Sequence, residues 1–529
     1  MPAKTALKPT ATHAFTGRDL PWLLATQAQA RPNHPFLVWE PFEGSGARWT
    51  YQEFARDVAR VCAGLAARGV VGGDRVLIHL GNCPEFLIAY FACSRLGAIA
   101  VTTNTRSSVE ELAYYASNSQ VVAAITQPQL LDAVQSLGVK FRWIACTSTD
   151  LGAPPEAAKP ADVLAFGDLF ADESAAPTRP AEPMAPNSVQ YTSGTTSRPK
   201  GVVWTHANAL WGARIGASLL DIHGDDVSLV YLPLFHTNAM SYSTLSTLWS
   251  GGTIVLHPKF SASRFWDAIV RHQCTWFIGI AFTLLALIKQ PKPPANKLRF
   301  IGLGASDISA IRDAWGLRTL GWFGMTETVT LTIMAEHGWL GREMAMGVPV
   351  PGYEVKVVRD DGSEVDFGES GHLKLRGIPG ISMFLEYLGN QEATDECYDE
   401  EGWFSTGDRV TPFADGQIRF DMREKDMLRV GAESVAAAEI ERVIYSMGAI
   451  AEVAVVGAPD EMLEEVPVAY VIPLMEAENL ADRILARCRQ ELADFKVPRR
   501  VYVVSDLPRV TLGKIDKKLL RQRLREQGD

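Results

Sequence analysis

A helix pattern set between short apolar strands, and then repeated, limits what the first third of this chain can become. Thr50 and Glu53 form a capping box, and Tyr51, Phe54, Val58, Val61 and Leu65 follow at three-and-four spacing, which predicts a helix burying one face. Gly72-Gly73 is expected to stop it. Val76-Leu77-Ile78-His79-Leu80 then reads as a strand, Pro84 suits the first position of a second helix, and residues 98–101 read as the next strand. A similar unit starts at Ser107 or Ser108 and ends in a strand over 121–125. Such alternation predicts an α/β fold, a largely parallel sheet covered by helices. At 529 residues the chain exceeds what one core holds, so two or more domains are expected.

The run Tyr191-Thr192-Ser193-Gly194-Thr195-Thr196-Ser197-Arg198-Pro199-Lys200-Gly201-Val202 offers backbone N–H groups, hydroxyls and a cationic lysine with almost no apolar bulk. Glycines let a backbone approach an anion, and consecutive N–H groups in a turn make an anion-binding concavity, so the run suits a polyphosphate. It is not a P-loop, which places Gly-Lys-Ser/Thr at the start of a helix. Lys200 is followed by Gly201 and the strand-like Val202-Val203-Trp204, which predicts a loop between two strands of a hairpin. A solvent-exposed polar turn uses the same residues, and the run alone leaves both readings open.

Composition narrows the alternatives. A net charge of −10 argues against nonspecific nucleic-acid binding, which needs basic patches, and favours small-molecule partners. Seven scattered cysteines without a CxxC pair give neither a zinc signature nor a disulfide framework, and suit a reducing cytoplasm. Residues 1–17 contain no apolar signal-peptide core, and the apolar stretch 86–101 is broken by Arg95, so no membrane attachment is expected. Residues 147–186 turn rich in Ala, Pro, Asp and Glu, which reads as an exposed connection into the phosphate loop.

Taken with further motifs in order, the loop resembles the phosphate-binding signature of the adenylate-forming superfamily: acyl-CoA synthetases, luciferases and peptide-synthetase adenylation domains. The motifs are Tyr231-Leu232-Pro233-Leu234-Phe235-His236, Gly324-Met325-Thr326-Glu327-Thr328, Trp403-Phe404-Ser405-Thr406-Gly407-Asp408, Arg423-Glu424-Lys425-Asp426 and Gly513-Lys514-Ile515. Ser197 stands where the signature usually has Gly. Gly324 to Thr328, Ser263-Arg264-Phe265-Trp266 and Phe495-Lys496-Val497-Pro498 look most like the bacterial crotonobetaine/carnitine-CoA ligase branch.

The resemblance implies a large N-terminal domain of helix-covered sheets over residues 1–422, a hinge at 423–427 about Lys425, and a small mobile α+β lid over 428–529. It implies that Thr192, Ser193, Gly194, Thr195, Thr196 and Lys200 cradle the ATP phosphates, and that Gly304, Ala305 and Ser306 border adenine. Asp408 would accept the ribose hydroxyls and Arg423 reach the nucleotide. Thr326 would donate to the α-phosphate and Glu327 hold Mg²⁺, which prefers one or two carboxylates together with phosphate oxygens. His236, Asn238, Met240, Ile280, Ala281, Gly302 and Gly324 would wall the acid pocket, although the usual proline near 280 is missing. Lys514 would be the mobile catalytic lysine, and the segment containing Gly431 would guide the thiol of coenzyme A. Relatives usually carry Gly at the position of Ala432. A lone His is more often structural, Thr followed by Glu often caps a helix, and a charge run such as 421–426 is ordinarily a solvated linker. The expected activity is an ATP-dependent acid–thiol ligase acting through an acyl-AMP. An adenylating enzyme that loads a carrier protein or an amine shares every first-step motif, and a non-catalytic nucleotide-binding scaffold is the third alternative.

Overall fold

The computed structural model describes all residues except 1–11, 157–158, 193–198, 292–293, 305–313, 337–344, 424–425, 431–432, 461–462, 476–477, 493, 511–513 and 527–529. Two compact units divide it, one comprising 1–354 with 375–404, the other 355–374 with 405–529. The boundary expected at residues 423–427 falls inside the second.

The first unit holds an eight-stranded sheet in the order Glu386–Tyr387, Lys200–Thr205, Pro186–Thr192, Ile99–Thr102, Arg75–His79, Ala123–Thr126, Ile144–Cys146 and Leu164–Ala165. From Pro186–Thr192 onward the neighbours are parallel. The crossover helices form for the reasons legible in sequence. Thr50 and Glu53 cap Tyr51–Ala67 reciprocally, and Tyr51, Phe54, Val58, Val61 and Leu65 are buried along it. Pro84 opens Pro84–Leu96, which Gly97 ends in the left-handed conformation, φ 80°. Ser108 and Glu111 repeat the capping box on Val109–Asn118.

Two expectations need correcting. The first helix ends at Ala67, earlier than Gly72, because Gly69 already takes a left-handed turn, φ 81°. The connection after residue 147 is not simply exposed. Val163, Phe166 and Leu169 recur every third residue within it and are buried, and Leu164–Ala165 extends the sheet.

Within the same unit a second sheet runs Ala345–Pro349, Leu331–Met334, Arg318–Gly324, Phe300–Gly304, Trp276–Ile278, Val227–Val230, Thr253–Leu256, Pro35–Trp39 and Ala47–Thr50. Its centre, from Arg318–Gly324 to Pro35–Trp39, is parallel. After His236 comes a π-helix over Asn238–Leu245 that continues as α-helix Ser246–Ser250. Helix His206–Leu219 packs on it through Gly212 and Gly216, where an added methyl would overlap the hydroxyls of Ser241 and Ser246.

Phe404–Pro412, which lies in the second unit from Ser405 onward, and Ile418–Arg423 form an antiparallel hairpin. A five-stranded sheet follows in the order Glu433–Ala436, Met427–Val430, Glu464–Pro473 and Ile450–Asp460, with Arg500–Val503 parallel to Glu464–Pro473. Alternation splits its core between two faces. Val453, Val455, Ala469 and Val471 pack under Ala437–Tyr445 and Leu480–Glu491, whereas Ala454, Val456, Val468 and Tyr470 pack under Leu520 and Leu524 of Lys517–Glu526. Among the described residues no helix is long and apolar enough to cross a membrane.

Candidate active site

The serine- and threonine-rich run does connect two strands of a hairpin. Pro186–Thr192 pairs antiparallel with Lys200–Thr205, and Thr192 stands opposite Lys200 at the open end. Ser193, Gly194, Thr195 and Thr196 lie outside the described residues. Thr192 Oγ1 donates to Lys200 O at 3.5 Å. The Lys200 ammonium lies 4.5 Å from the centroid of the Tyr387 ring, a cation–π contact that fixes a flexible stem.

Thr326 and Glu327 sit on a turn rather than at a helix start. Thr328 closes it, its N–H donating to Met325 O at 3.2 Å while its hydroxyl accepts from Met325 N at 3.0 Å. The main chain is held from both sides. Trp204 Nε1 donates to Thr326 O at 2.8 Å, and Phe384 N donates to Glu327 O at 2.8 Å. The Thr237 hydroxyl lies 3.3 Å from Thr326 Oγ1 and 3.2 Å from Gln190 Oε1, which joins the turn to both sheets. Val329, next to the turn, takes φ 65°, a left-handed conformation that is an outlier for a β-branched residue and of a kind that clusters at functional sites.

The Glu327 carboxylate is buried, with the residue 6% exposed, and its Oε1 accepts from the Tyr387 hydroxyl at 2.9 Å. Burial first, and then this carboxylate, push the Tyr387 phenol far above its ordinary pKa, so it stays a donor. The nearby Cys397 thiol is pushed up to about 12 by burial and by Glu327, with Lys200 opposing. Lys200, Tyr387 and Glu327 thus form one connected set at the hairpin mouth. An oriented carboxylate beside hydroxyls and an ammonium fits Mg²⁺, which takes a carboxylate together with phosphate oxygens and water. Among the described residues no three His, Cys, Asp or Glu side chains converge as a metal cluster.

The expected pocket residues collect at the carboxyl ends of parallel strands, where open α/β sheets bind ligands. His236 follows Val227–Val230, Ile280 follows Trp276–Ile278, and Gly304 and Gly324 end their own strands. Ile280 N donates to Thr283 Oγ1 at 3.2 Å and so caps the helix that begins at Ala281. His236 O accepts from Met240 N at 3.0 Å, which starts the π-helix wall. Among the described residues Asn238 Oδ1 is buried there without a hydrogen-bond partner. Gly302 faces Trp322, and Gly324 faces the Tyr242 hydroxyl. Ala305 and Ser306 lie outside the described residues.

In the second unit Asp408 is fully buried, stands opposite Arg423 in the hairpin, and its N–H donates to Thr406 Oγ1 at 3.1 Å. Lys514 is exposed just before the last helix, and its carbonyl accepts from Val510 N at 2.8 Å. Lys425 and Gly431 lie outside the described residues. Sequence reasoning missed Tyr387, Trp204, Thr237 and Trp322. Tyr387 reaches the site because Glu386–Tyr387 pairs with Val202 and Val203, and nothing in the spacing of the sequence signals that pairing.

Comparison with known proteins agrees with this geometry. The AMP-binding enzyme family matches residues 24–388, and the AMP-binding enzyme C-terminal domain matches 439–514. A crotonobetaine/carnitine–CoA ligase of Salmonella paratyphi C is 32% identical over 503 residues, covering 92% of this chain and 95% of that protein. ATP-bound MatB from Rhodopseudomonas palustris superposes with a TM-score of 0.84 at 26% identity, covering 96% of this chain and 99% of that one. A benzoate CoA ligase from Burkholderia xenovorans LB400 shares the fold, with a TM-score of 0.83 at 24% identity over 95% and 99% of the two chains. With its Thr326–Glu327 turn, whose glutamate is buried, set beside the Thr192–Lys200 hairpin mouth, the chain belongs to the AMP-binding enzyme family.

Proposed function

We infer that the protein is an ATP-dependent, AMP-forming acyl-CoA ligase: it joins a small carboxylic acid to AMP with release of pyrophosphate, then transfers the acyl group to coenzyme A. The observation that carries this reading is the set Lys200, Tyr387 and Glu327, which places a cation and an oriented carboxylate together at the open end of the hairpin. A carboxylate oxygen is a poor leaving group until it is esterified to phosphate, so activation precedes thiol attack. Mg²⁺, when bound, neutralises phosphate charge and is held through Glu327.

The protein's own work is positioning and charge stabilisation. Lys200 and the loop from Thr192 to Thr196 hold the β- and γ-phosphates, and Thr326, braced through Trp204 and Thr237, donates to the α-phosphate. Asp408 accepts the ribose hydroxyls and Arg423 reaches the nucleotide, while Gly304, Ala305 and Ser306 border adenine. Lys514 bridges the attacking carboxylate and the α-phosphate. The lid over 428–529 then turns about Lys425, withdraws Lys514 and brings the segment at Gly431 to the thiol. Work in the cytoplasm is supported by the seven cysteines, all free thiols.

Pyrophosphate release across a panel of carboxylic acids, with and without coenzyme A, tests the activity. Lys514→Ala tests the assignment: adenylation falls about 10²–10³-fold, the loss typical of one charge-stabilising donor, while supplied acyl-adenylate still reacts with coenzyme A. Equal loss in both half-reactions refutes the two-conformation scheme.

A further inference from the structure

Three polar side chains run in a line from the hairpin strand to the turn that carries Thr326. Gln190 lies on Pro186–Thr192, two residues before Thr192 and on the same face of the strand, with its backbone paired to Thr102 on one side and Val202 on the other. The Thr237 hydroxyl lies 3.2 Å from Gln190 Oε1 and 3.3 Å from Thr326 Oγ1. Gln190 is 4% exposed and Thr237 6%, whereas Thr326 is half-buried, so the line runs outward from the interior. Trp204 already holds the main chain of Thr326, and what the line still sets is the direction of its hydroxyl proton.

Counting protons decides how such a line works. Each threonine hydroxyl has one proton to give, while a glutamine amide offers an acceptor at one end and two donors at the other. With Gln190 Oε1 toward Thr237, the Thr237 proton goes to Gln190, and Thr326 keeps its bond to Thr237 only by turning its own proton inward. A phosphate beyond Thr326 then meets a hydroxyl with nothing to donate. With the amide turned over, Nε2 donates to Thr237, Thr237 donates to Thr326, and the Thr326 proton points outward. Every bond of the line is kept. Both distances exceed the roughly 2.7–2.8 Å usual for hydroxyl bonds, and among the described residues the Gln190 amide makes no other hydrogen bond that would pin it one way round.

We propose that Gln190 is a positioning residue for adenylation: by presenting its NH2 group to Thr237 it sets the direction of the Thr237–Thr326 hydroxyl line and aims the Thr326 proton at the α-phosphate. This rests on the ligase reading, which puts the α-phosphate at Thr326. Donors arranged in a row polarise one another, so the last of them meets the phosphate as a stronger donor than a lone hydroxyl.

The test is binding of AMP against adenosine by calorimetry at pH 8.5, where an added carboxyl is ionised, because the two ligands differ only in the phosphate. Thr326→Val has no proton to give and sets the scale: AMP affinity falls about 10- to 150-fold, the range for one hydrogen bond to a charged group, and adenosine affinity is unchanged. Gln190→Glu offers Thr237 only acceptors and locks the line inward, so AMP affinity falls at least about 10-fold. Gln190→Met leaves Thr237 free to give its proton to Thr326 and costs only the roughly 2- to 13-fold of a neutral bond; it carries the test if the glutamate variant does not fold. A double-mutant cycle separates aiming from charge repulsion and packing: in a Thr326→Val background either Gln190 substitution costs less than about twofold. A loss that persists in full in that background overturns the proposal, as does an equal loss for adenosine or a Gln190→Glu enzyme that binds AMP as tightly as wild type. A wild type that binds AMP no more tightly than adenosine overturns the placement of the α-phosphate in the ligase reading, and the proposal with it.

Discussion

Replacing Tyr387 by Phe deletes one oxygen, the donor that meets Glu327 Oε1 at 2.9 Å, and keeps the ring under the Lys200 ammonium. Glu327 is only 6% exposed, so water does not readily replace the donor. A net hydrogen bond to a charged group contributes about 1.5–3 kcal/mol. If that energy holds Glu327 where it acts in adenylation, kcat/KM for ATP in the pyrophosphate-releasing step falls about 10- to 150-fold, since about 1.4 kcal/mol is tenfold. The thiol-transfer step, started from supplied acyl-adenylate, keeps its rate. Tyr387→Leu also removes the ring from Lys200 and costs about 0.5–2 kcal/mol more. A double-mutant cycle isolates the charged part of the bond: in a Glu327→Gln background the charge is gone, and Tyr387→Phe then costs only the roughly 2- to 13-fold of a neutral hydrogen bond. Single-turnover measurement of both half-reactions decides the matter. A Tyr387→Phe enzyme that adenylates at the wild-type rate shows that the bond does not position Glu327, and equal slowing of both steps assigns Tyr387 to general packing.

Gly216→Ala sets a methyl against Ser246 Oγ between helix His206–Leu219 and the pocket wall; overpacking lowers stability by about 1–3 kcal/mol, read as a lower Tm, and Ser246→Ala recovers part of it. Acid stability is governed in part by buried neutral histidines: burial, aided by Arg179, holds His206 down to about 3, and burial holds His79 and His257 to about 4. Between the ordinary histidine value of 6.5 and these folded values the unfolded chain binds more protons, so their stabilisation is complete above about pH 6.5 and is lost as pH falls toward 4 and then 3. His206→Gln therefore reduces the acid-side slope of stability by up to one proton, about 1.4 kcal/mol per pH unit, and an unchanged slope in denaturation at pH 4 to 7 refutes the assignment.

What was legible in the sequence was local. Capping boxes at Thr50 and Ser108, Pro84 at a helix start, and the hairpin around the Thr192–Lys200 run all depend on neighbours within a few residues. The π-helix was not legible, because Ala239 to Leu248 is buried all round and an apolar run without a polar face carries no period to read. The candidate site divided in the same way. Thr326 and Glu327 are contiguous and could be picked out together, whereas Tyr387 comes to Glu327 from sixty residues away and Trp322 packs against Gly302 of the neighbouring strand. Those relations are created by strand pairing, and a one-dimensional pattern does not contain them.

The π-helix has a consequence for how such a pocket diverges. Over Asn238–Leu245 each turn closes across five residues instead of four. Loss of a single residue inside this buried element would let it relax to α geometry and rotate everything on one side of the deletion by about 100° relative to the other. Insertions and deletions are ordinarily absorbed by surface loops. Here a change of one residue in chain length would re-aim Asn238 and Tyr242 together, turning different groups toward the neighbouring strands while every side chain kept its identity.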